Sequence, residues 1–299
     1  MSDSAEQLAV SFSQARARLV RVAYAILGSH AEAEDVVADC WLRLVAADGH
    51  EPVRDVESWA VVAVSRMALD VLRSARVRRE QYVGPWLPEP VVSGDPAEGD
   101  PAEGDPAEKV TLDDEVSYAL LVVLETLSPP ERTSFVLHDL FGMPFDEVAS
   151  VVGRSPAAVR QLASRARRHV RSHGALPSSV NAAEHRRVVS AFSSAVTSGD
   201  LATLIRVLDP SVVLVSDGGG VVSAARKPIL GADRVARFLL GVMAKGGPED
   251  RIAQVDVNGS PGFALYQDGD LVTVVSVTVA GDRVTRLDFV RAPAKLPRS

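Results

Sequence analysis

Apolar residues recur at helical spacing through most of the first half of the chain. From Ala33 to Leu44 an apolar side chain returns every three or four positions, which is the period of one helix face. Gly28 and Ser29 separate this helix from the one before it. The pattern predicts further helices over 12–27, 58–79 and 113–127, and a loop over 47–57.

A pair of short helices joined by a tight turn is predicted near the middle of the chain. Apolar residues between Phe145 and Val152 fall on one face of the first helix, and Gly153 ends it. Ser155 and Pro156 suit the N-cap and the first turn of the second helix. The inner stripe of that second helix is predicted to be Val159, Leu162, Ala166 and Val170. The pattern is that of a helix-turn-helix.

Beyond the helix-turn-helix the pattern changes from helical to period two. Two helices come first, over 181–197 and 200–208, with Asn181 as N-cap and Glu184 in the capping-box position. Short apolar runs between turn-forming residues then predict strands over 212–216, 263–267, 271–279 and 283–290. Helices followed by antiparallel strands predict an α+β domain over 178–299.

Charge is segregated along the chain, so the net charge of −7 hides a local basic surface. The sequence GDPAE occurs three times in tandem, starting at Gly94, Gly99 and Gly104. Repeats of Gly, Pro and acidic residues provide nothing to bury in a core, and their charges repel one another. We therefore expect a flexible linker over 84–110.

The second helix of the helix-turn-helix carries the opposite charge. Between Arg154 and Arg171 there are six arginines and no acidic residue. A guanidinium pairs with phosphate or with the O6/N7 edge of guanine, so this helix is a candidate DNA-reading element. A solvated basic helix face is the alternative interpretation. The candidate contacts are Arg154, Ser155, Arg160, Gln161, Ser164, Arg165 and Arg168.

Several classes of protein and site are not indicated. The single cysteine, Cys40, excludes an internal disulfide, and no stretch has the character of a signal peptide or a membrane span. We therefore expect a soluble cytoplasmic protein. His169 and His173 lie one helical turn apart but no third ligand accompanies them, so neither a metal site nor a cofactor is expected.

Three stretches resemble the extracytoplasmic-function (ECF) sigma factors of bacteria. The sequence GSHAEAEDVVADCWLRL at 28–44 is similar to their core-polymerase-binding helix. The sequence SWAVVAVSRMALDVLRSARVRR at 58–79 is similar to their −10-reading helix, and 127–170 is similar to their −35-reading domain. The order and spacing of these stretches make the resemblance specific, and it covers nearly the whole chain outside the GDPAE repeats.

The resemblance implies a multidomain fold and a division of the chain. Two all-α sigma domains, the second a helix-turn-helix, precede a C-terminal α+β cone of the SnoaL-like type. The implied divisions are 1–83 for sigma region 2, 84–110 for the linker, 111–174 for sigma region 4 and 178–299 for the SnoaL-like domain.

The resemblance also implies partners and contact residues. RNA polymerase core, through its β′ and β subunits, and promoter DNA are the implied partners, with no membrane partner. Four acidic residues of this chain are the implied contacts with the clamp helices of the polymerase β′ subunit: Glu32, Glu34, Asp35 and Asp39. The implied −10 contacts are Trp59, Arg66, Arg73 and Arg76. The implied −35 contacts are the candidate residues of the basic helix.

A subgroup of these sigma factors carries motifs similar to three stretches of this chain, at 86–90, 217–220 and 258–262. The resemblance implies that the SnoaL-like domain regulates in cis, with a small ligand of unknown kind in its pocket and no separate anti-sigma factor. The implied regulatory interface comprises Trp86, Leu87, Pro88, Asp217, Gly218, Gly219, Gly220, Asn258 and Pro261. We expect the glycine turn at 218–220 to shape an interface between this domain and the helical part.

Enzymatic activity is not expected of the SnoaL-like domain. Some domains of this type use an Asp/His pair, and here no histidine follows His185. Four aspartates beside predicted turns are expected to face solvent: Asp217, Asp256, Asp268 and Asp270. The chain also ends with RAPAKL at 291–296 where the subgroup has the sequence NPDKL.

Two other functions remain open from the residues. A one-component helix-turn-helix regulator with a ligand-sensing C-terminal domain would bind duplex DNA without polymerase, but it leaves 12–82 unexplained. A SnoaL-type isomerase or hydrolase with a DNA-binding appendage would turn over a substrate, and the missing histidine argues against it.

Overall fold

The computed structural model describes residues 3–79, 82–94, 116–173, 182–247 and 249–297. The chain divides into two compact units. The first comprises Met1–Glu80 and Val123–His173, and the second comprises Gln81–Val122 and Gly174–Ser299.

The first unit is helical. Its helices are α1 (Asp3–Leu27), α2 (His30–His50), α3 (Val56–Arg79), α4 (Tyr118–Leu124, which begins in the second unit), α5 (Pro129–Phe135), a π-helical turn (Val136–Leu140), α6 (Phe145–Val152) and α7 (Pro156–Ser172). The predicted helix-turn-helix is confirmed, since α6 spans Phe145–Val152 and α7 begins at Pro156 as the pattern predicted. Gly153 ends α6 in the left-handed conformation, with φ of 71°. The Ser155 side chain accepts the Ala158 N–H at 3.3 Å and caps α7.

Two helices are longer than the sequence predicted. Helix α1 starts at Asp3 instead of Phe12, because Leu8 lies one turn before Phe12 and is also buried. Helix α2 continues through Gly49 to His50, and the Glu51 N–H donates to the Ala47 carbonyl at 3.0 Å. The predicted loop over 47–57 is therefore shorter than expected.

The second unit combines helices with one seven-stranded sheet. The helices are α8 (Ala182–Thr197), α9 (Leu201–Val207) and α10 (Ala232–Met243). The strands are β1 (Val92–Ser93), β2 (Leu208–Asp217), β3 (Ile229–Leu230), β4 (Arg251–Val257), β5 (Ser260–Gln267), β6 (Asp270–Ala280) and β7 (Arg283–Val290), followed by a 3-10 turn (Pro293–Lys295). Their order is β1-β4-β5-β6-β7-β2-β3. The predicted N-cap Asn181 lies outside the described residues.

The prediction of purely antiparallel strands is wrong in one pair, because β2 and β7 run parallel. The chain between them contains α10 and β4, which the sequence pattern did not reveal. Helix α10 buries Val235, Ala236 and Leu239 against the sheet and forms part of the core. The predicted α+β class is nevertheless confirmed.

The two faces of the sheet have different coverings. Helices α8, α9 and α10 pack on one face around Phe192, Leu214 and Leu287. On the other face Leu87 and Tyr118 join a second apolar cluster with the strand residues. Strand β1 pairs with β4 and extends the sheet at that edge.

The described part of the predicted flexible linker, 84–94, belongs to the second unit. Within this unit, Trp86 to Ser93 pack on the sheet. The apolar side chain of Leu87 is 2% exposed and joins the cluster on the sheet, and Val92 and Ser93 pair with β4. The GDPAE repeats from residue 95 onward lie outside the described residues.

Candidate functional site

The candidate DNA-reading residues form one exposed face of α7. Arg160, Gln161, Ser164, Arg165 and Arg168 line an open cleft of about 380 Å³. The opposite side of the helix is buried through Val159, Ala163, Ala166 and Val170. Leu162, which we predicted for the buried stripe, is only half-buried. Arg154 and Ser155 are exposed in the turn that precedes α7.

The guanidinium groups of the α7 arginines differ in the residues that they contact. The Arg160 guanidinium lies 5.3 Å from the centroid of the Phe145 ring. Arg167 donates to the Asp139 carboxylate at 2.6 Å and is engaged within the unit. Arg165 lies 4.0 Å from Glu131, and Arg168 donates to the Ser164 carbonyl at 3.4 Å.

Phe145 is half-buried, although the sequence pattern assigned it to the apolar face of α6. Its ring stacks on His138, with 3.7 Å between ring centroids and 27° between planes. His138 Nδ1 is 2.9 Å from the Met143 carbonyl oxygen. Phe145 therefore contacts both His138 and Arg160.

The predicted polymerase-binding acids do not share one environment. Asp35 and Asp39 are exposed on α2, one turn apart. Glu32 and Glu34 are half-buried, and Glu34 forms an ion pair with Arg16 of α1. Leu42 lies one turn beyond Asp39 and is 66% exposed, which the sequence pattern did not single out.

The predicted −10 residues lie along α3. Trp59 is half-buried and lines an open cleft of about 490 Å³ with residues 47 and 50–55. Arg66 donates its Nη2 to the Ser150 carbonyl of α6 at 3.0 Å. Arg73 is paired with Asp70 at 3.2 Å. The side chain of Arg76 lies outside the described residues.

A buried arginine joins the two helical parts of the first unit. Arg132 of α5 is 1% exposed, donates its Nε to the Ala25 carbonyl at 3.2 Å and forms an ion pair with Glu125. Its Nη2 has no hydrogen-bond partner. Since a buried guanidinium without its partners is costly, these contacts make the packing of α5 against α1 specific. Sequence reasoning missed Arg132, because its partners are remote in the chain or outside its own helix.

Asp217 is the centre of a buried polar cluster in the second unit. Its Oδ1 accepts from the Tyr82 hydroxyl at 2.6 Å and from the Gly219 N–H at 2.9 Å. Its Oδ2 accepts from the Leu87 N–H at 2.9 Å and from Lys295 Nζ at 2.7 Å. Asp217 is fully buried, so the expectation that it faces solvent is wrong. Asp256, Asp268 and Asp270 are exposed, as expected.

Lys295 ties the end of the chain to the same cluster. Besides Asp217, its Nζ donates to the Leu87 carbonyl at 2.6 Å. The ammonium lies 3.8 Å from the Trp86 ring centroid and 5.0 Å from that of Tyr82, in the geometry of a cation–π contact. Burial and the hydrogen bond to Asp217 raise the pKa of Tyr82 above its ordinary value. We call Tyr82, Trp86, Leu87, Asp217 and Lys295 the linker anchor.

The other predicted interface residues also face the segment 82–93. Asn258 accepts from the Val91 N–H at 3.1 Å through its side chain and donates its own N–H to the Val91 carbonyl at 2.9 Å. A Cβ at Gly219 would lie 3.1 Å from Ala292 Cβ, and one at Gly220 would lie 3.3 Å from Val83 Cβ. Gly218 has no room for a side chain, because its Cβ would meet the Val222 carbonyl at 2.4 Å. Pro261 is buried in β5.

The glycine turn thus has a different neighbour from the one we expected. We predicted an interface with the helical part, and the contacts described are with Tyr82 and Val83 of the chain segment that leads away from α3. Glycine is needed here because Gly219 and Gly220 have φ of 68° and 72° and lie against that segment.

A cleft between α8, α10 and the sheet is the candidate ligand pocket. Its volume is about 60 Å³, and its described lining is apolar apart from the hydroxyls of Ser193 and Thr197. His185 lies outside this lining with Nε2 3.1 Å from the Val277 carbonyl, and burial lowers its pKa. With no ionisable group in the described lining, the cleft provides no acid or base; the predicted ligand stays a prediction.

Two kinds of feature are absent from the described part of the chain. No group of three or more His, Cys, Asp or Glu side chains is placed to hold a metal ion. None of the helices described has both the length and the apolar character that crossing a membrane requires.

Comparisons with known proteins bear on all of these surfaces. Residues 12–78 match the family described as Sigma-70 region 2, and residues 117–170 match Sigma-70, region 4. The chain is 44% identical to the ECF RNA polymerase sigma factor SigJ of Mycobacterium tuberculosis, over 96% of this chain and 93% of that protein. It is 35% identical to the probable ECF RNA polymerase sigma factor SigI of the same species, over 94% of this chain and 92% of the relative.

A solved structure covers the same extent. The crystal structure of the SigJ protein of M. tuberculosis superposes with a TM-score of 0.75 and 36% sequence identity, over 96% of this chain and 97% of that one. The similarity therefore includes the second unit as well as the helices.

Proposed function

Because the chain belongs to the ECF sigma factors of bacterial RNA polymerase, we propose that separate exposed surfaces bind the polymerase core, the −10 element and the −35 element. We further propose that the second unit regulates these contacts through the linker anchor. Sigma factors are transcription initiation factors and not enzymes; they bind RNA polymerase core and promoter DNA. The one-component regulator and the SnoaL-type enzyme are not favoured, since similarity to sigma factors extends over nearly the whole chain.

The exposed basic face of α7 carries the proposal. Arg160, Gln161, Ser164, Arg165 and Arg168 project from a helix whose opposite side is buried, and they define one open cleft. This arrangement presents hydrogen-bond donors to the edges of base pairs in a major groove. We assign base reading in the −35 element to Arg160, Gln161, Ser164 and Arg165. Phosphate contacts are assigned to Arg154 and Arg168.

The exposed stripe on α2 is assigned to RNA polymerase core. Asp35 and Asp39 provide negative charge that can pair with a basic surface of the polymerase. The exposed Leu42, one turn beyond Asp39, provides apolar area for the same contact. Charge would steer the encounter, while burial of the leucine would stabilise the complex. Glu34 is assigned a smaller contribution because Arg16 already neutralises it.

The cleft beside Trp59 is assigned to the −10 element. Its volume of about 490 Å³ and its half-buried indole suit an unstacked base held against an aromatic ring. Arg66 would need to exchange the Ser150 carbonyl for DNA phosphate, so the packing of α6 on α3 competes with its DNA contact.

The linker anchor is assigned to regulation in cis. Residues 82–93 lead from the −10-reading part towards the −35-reading part, and the C-terminal part of the second unit binds them through Asp217, Lys295 and Asn258. A linker that is held in this way restricts how far the two DNA-reading parts can separate. No separate anti-sigma factor is needed for such restriction.

Run-off transcription with purified core polymerase tests the proposal. A library of linear DNA fragments would be incubated with core alone, with the chain alone and with both. We expect transcripts only when both proteins are present, starting downstream of a shared pair of sequence elements. Tight binding to duplex fragments by the chain alone, without transcripts from the mixture, would instead support the one-component regulator.

A further inference from the structure

Among the described contacts of the arginines of α7, Arg160 alone has a cation–π contact with an aromatic ring, which we call its aromatic platform. Its guanidinium lies over the Phe145 ring, 5.3 Å from the ring centroid, and the same ring is stacked on His138. We propose that Phe145 is a positioning residue that holds Arg160 in the conformation required to read one base pair of the −35 element. The inference rests on the proposed role of α7 in −35 recognition.

The local backbone restricts the positions of the His138 and Phe145 rings. His138 lies in the π-helical turn Val136–Leu140, and its Nδ1 is within hydrogen-bond distance of the Met143 carbonyl. A π-helical turn changes the direction of a side chain relative to an α-helix, and such turns are frequent at functional sites. Phe145 then begins α6 directly after Pro144, whose ring restricts the backbone. The His138 and Phe145 rings are therefore both held before DNA binds.

The contact with the Phe145 ring leaves the N–H donors of the Arg160 guanidinium available for hydrogen bonds to DNA. A cation over an aromatic ring uses the face of the guanidinium, whereas hydrogen bonds to a base or a phosphate use the N–H groups at its edge. The ring can therefore restrict the long Arg160 side chain without consuming its donors. A side chain that is already ordered loses less conformational entropy when it binds, which favours the one base geometry that it fits.

The neighbouring arginines provide the contrast. Arg168 is held by the carbonyl of its own helix, and Arg165 lies 4.0 Å from Glu131. Neither has an aromatic platform among the contacts described. If the platform acts on Arg160 alone, removing it affects the base that Arg160 reads and leaves the contribution of Arg168 unchanged.

The test uses the full chain with core polymerase and promoter fragments randomised in the −35 element. Phe145→Leu keeps an apolar side chain but removes the ring, Phe145→Tyr keeps the ring, and Arg160→Ala removes the reader. We expect Arg160→Ala to abolish the preference at one position. Phe145→Leu is expected to weaken the preference at the same position about 2- to 5-fold, the range of an exposed cation–π contact. Phe145→Tyr is expected to retain the preference.

A double-mutant cycle separates positioning from general packing. Phe145→Leu combined with Arg160→Ala is expected to cost no more selectivity than Arg160→Ala alone, whereas its combination with Arg168→Ala is expected to be additive. Thermal unfolding of each variant checks that the first unit is folded. If Phe145→Leu does not fold, Phe145→Met repeats the test with a more adaptable side chain.

Three results would overturn the inference. Full preference in a folded Phe145→Leu protein, alongside a lost preference in Arg160→Ala, would overturn the inference and leave the role of α7 intact. An equal loss on every −35 sequence would show that Phe145 only supports the fold. If Arg160→Ala changed no position, Arg160 would not be a base reader, and both its proposed role and the inference would fail.

Discussion

Charged side chains are used in opposite ways in α7 and in the linker anchor. In α7 the arginines project from one face into solvent, opposite a buried stripe of small apolar residues. In the linker anchor a lysine and an aspartate are enclosed, and they contact each other and Leu87 across long stretches of chain. Exposed charge leaves an interaction available for a partner, whereas the enclosed pair has already been satisfied within the chain. The comparison suggests that α7 recognises other molecules and that the anchor recognises the chain itself.

Breaking the enclosed pair is expected to have the largest effect. Lys295→Met keeps most of the side-chain volume but leaves the fully buried Asp217 carboxylate without its cation. We expect the free energy of unfolding of the second unit to fall by about 3 kcal/mol, since an unpaired buried charge is strongly unfavourable. Chemical denaturation would measure it. Lys227→Met, at an exposed lysine, is the control, and an equal midpoint in both variants would contradict the account.

A side chain at the glycine turn is expected to have the next largest effect. Gly219 has φ of 68° and lies against Ala292 and Tyr82, so Gly219→Val adds both backbone strain and a clash. We expect a loss of about 2 kcal/mol in the stability of the second unit, together with altered run-off transcription. Gly281→Val shares the positive φ but meets open space, which separates strain from contact. Unchanged transcription in Gly219→Val would reject a role for the turn in regulation.

Removing an exposed arginine is expected to affect recognition without affecting stability. Arg165→Ala is predicted to weaken binding of the preferred −35 sequence by about 1–3 kcal/mol if the guanidinium reads a guanine edge. Competition binding of the polymerase–sigma complex to matched and mismatched promoters would measure the difference. Arg167→Ala is the matched control, because Arg167 is already paired with Asp139. An equal loss on all sequences would show that Arg165 contacts only phosphate.

The Tyr82 hydroxyl is expected to give the smallest effect and to depend on pH. Tyr82→Phe removes the hydrogen bond to Asp217 but keeps the ring, at a cost of about 1 kcal/mol near neutral pH. The pKa of Tyr82 is raised in the folded protein, so its stabilising contribution is complete below the unfolded pKa of about 10 and is lost as pH rises above it. Denaturation curves of wild type and variant should therefore converge in alkali. A difference that stays constant to high pH would contradict this assignment.

The same contrast explains what could be predicted from the sequence. The helix-turn-helix was predicted from the sequence because its signals are local: a left-handed glycine, a serine cap and an apolar period within one stretch. The residues of the linker anchor lie at 82, 86, 87, 217 and 295, and no local pattern connects them. The resemblance identified Trp86, Leu87 and Asp217 as interface residues, but Tyr82 was not identified. The lysine was noted only as part of an altered ending.

Non-local packing also accounts for the errors. Asp217 follows a strand and precedes three glycines, which is the pattern of an exposed turn, yet the segment 82–93 covers it. Helix α10 was missed because short glycine-rich stretches flank it and suggest turns, although its buried face is a regular helical stripe. Arg132 was missed because its partners are a carbonyl of α1 and a carboxylate seven residues earlier.

Run-off transcription with an anchor variant tests the central claim most directly. Three proteins would be compared with the same core polymerase and promoter: the full chain, a chain that ends at His173, and the full chain with Asp217→Asn. If the C-terminal part of the second unit acts by holding residues 82–93, Asp217→Asn will change the transcript yield in the same direction as removal of the residues after His173. A large change on truncation, with wild-type yield from a folded Asp217→Asn protein, would contradict regulation through the linker anchor.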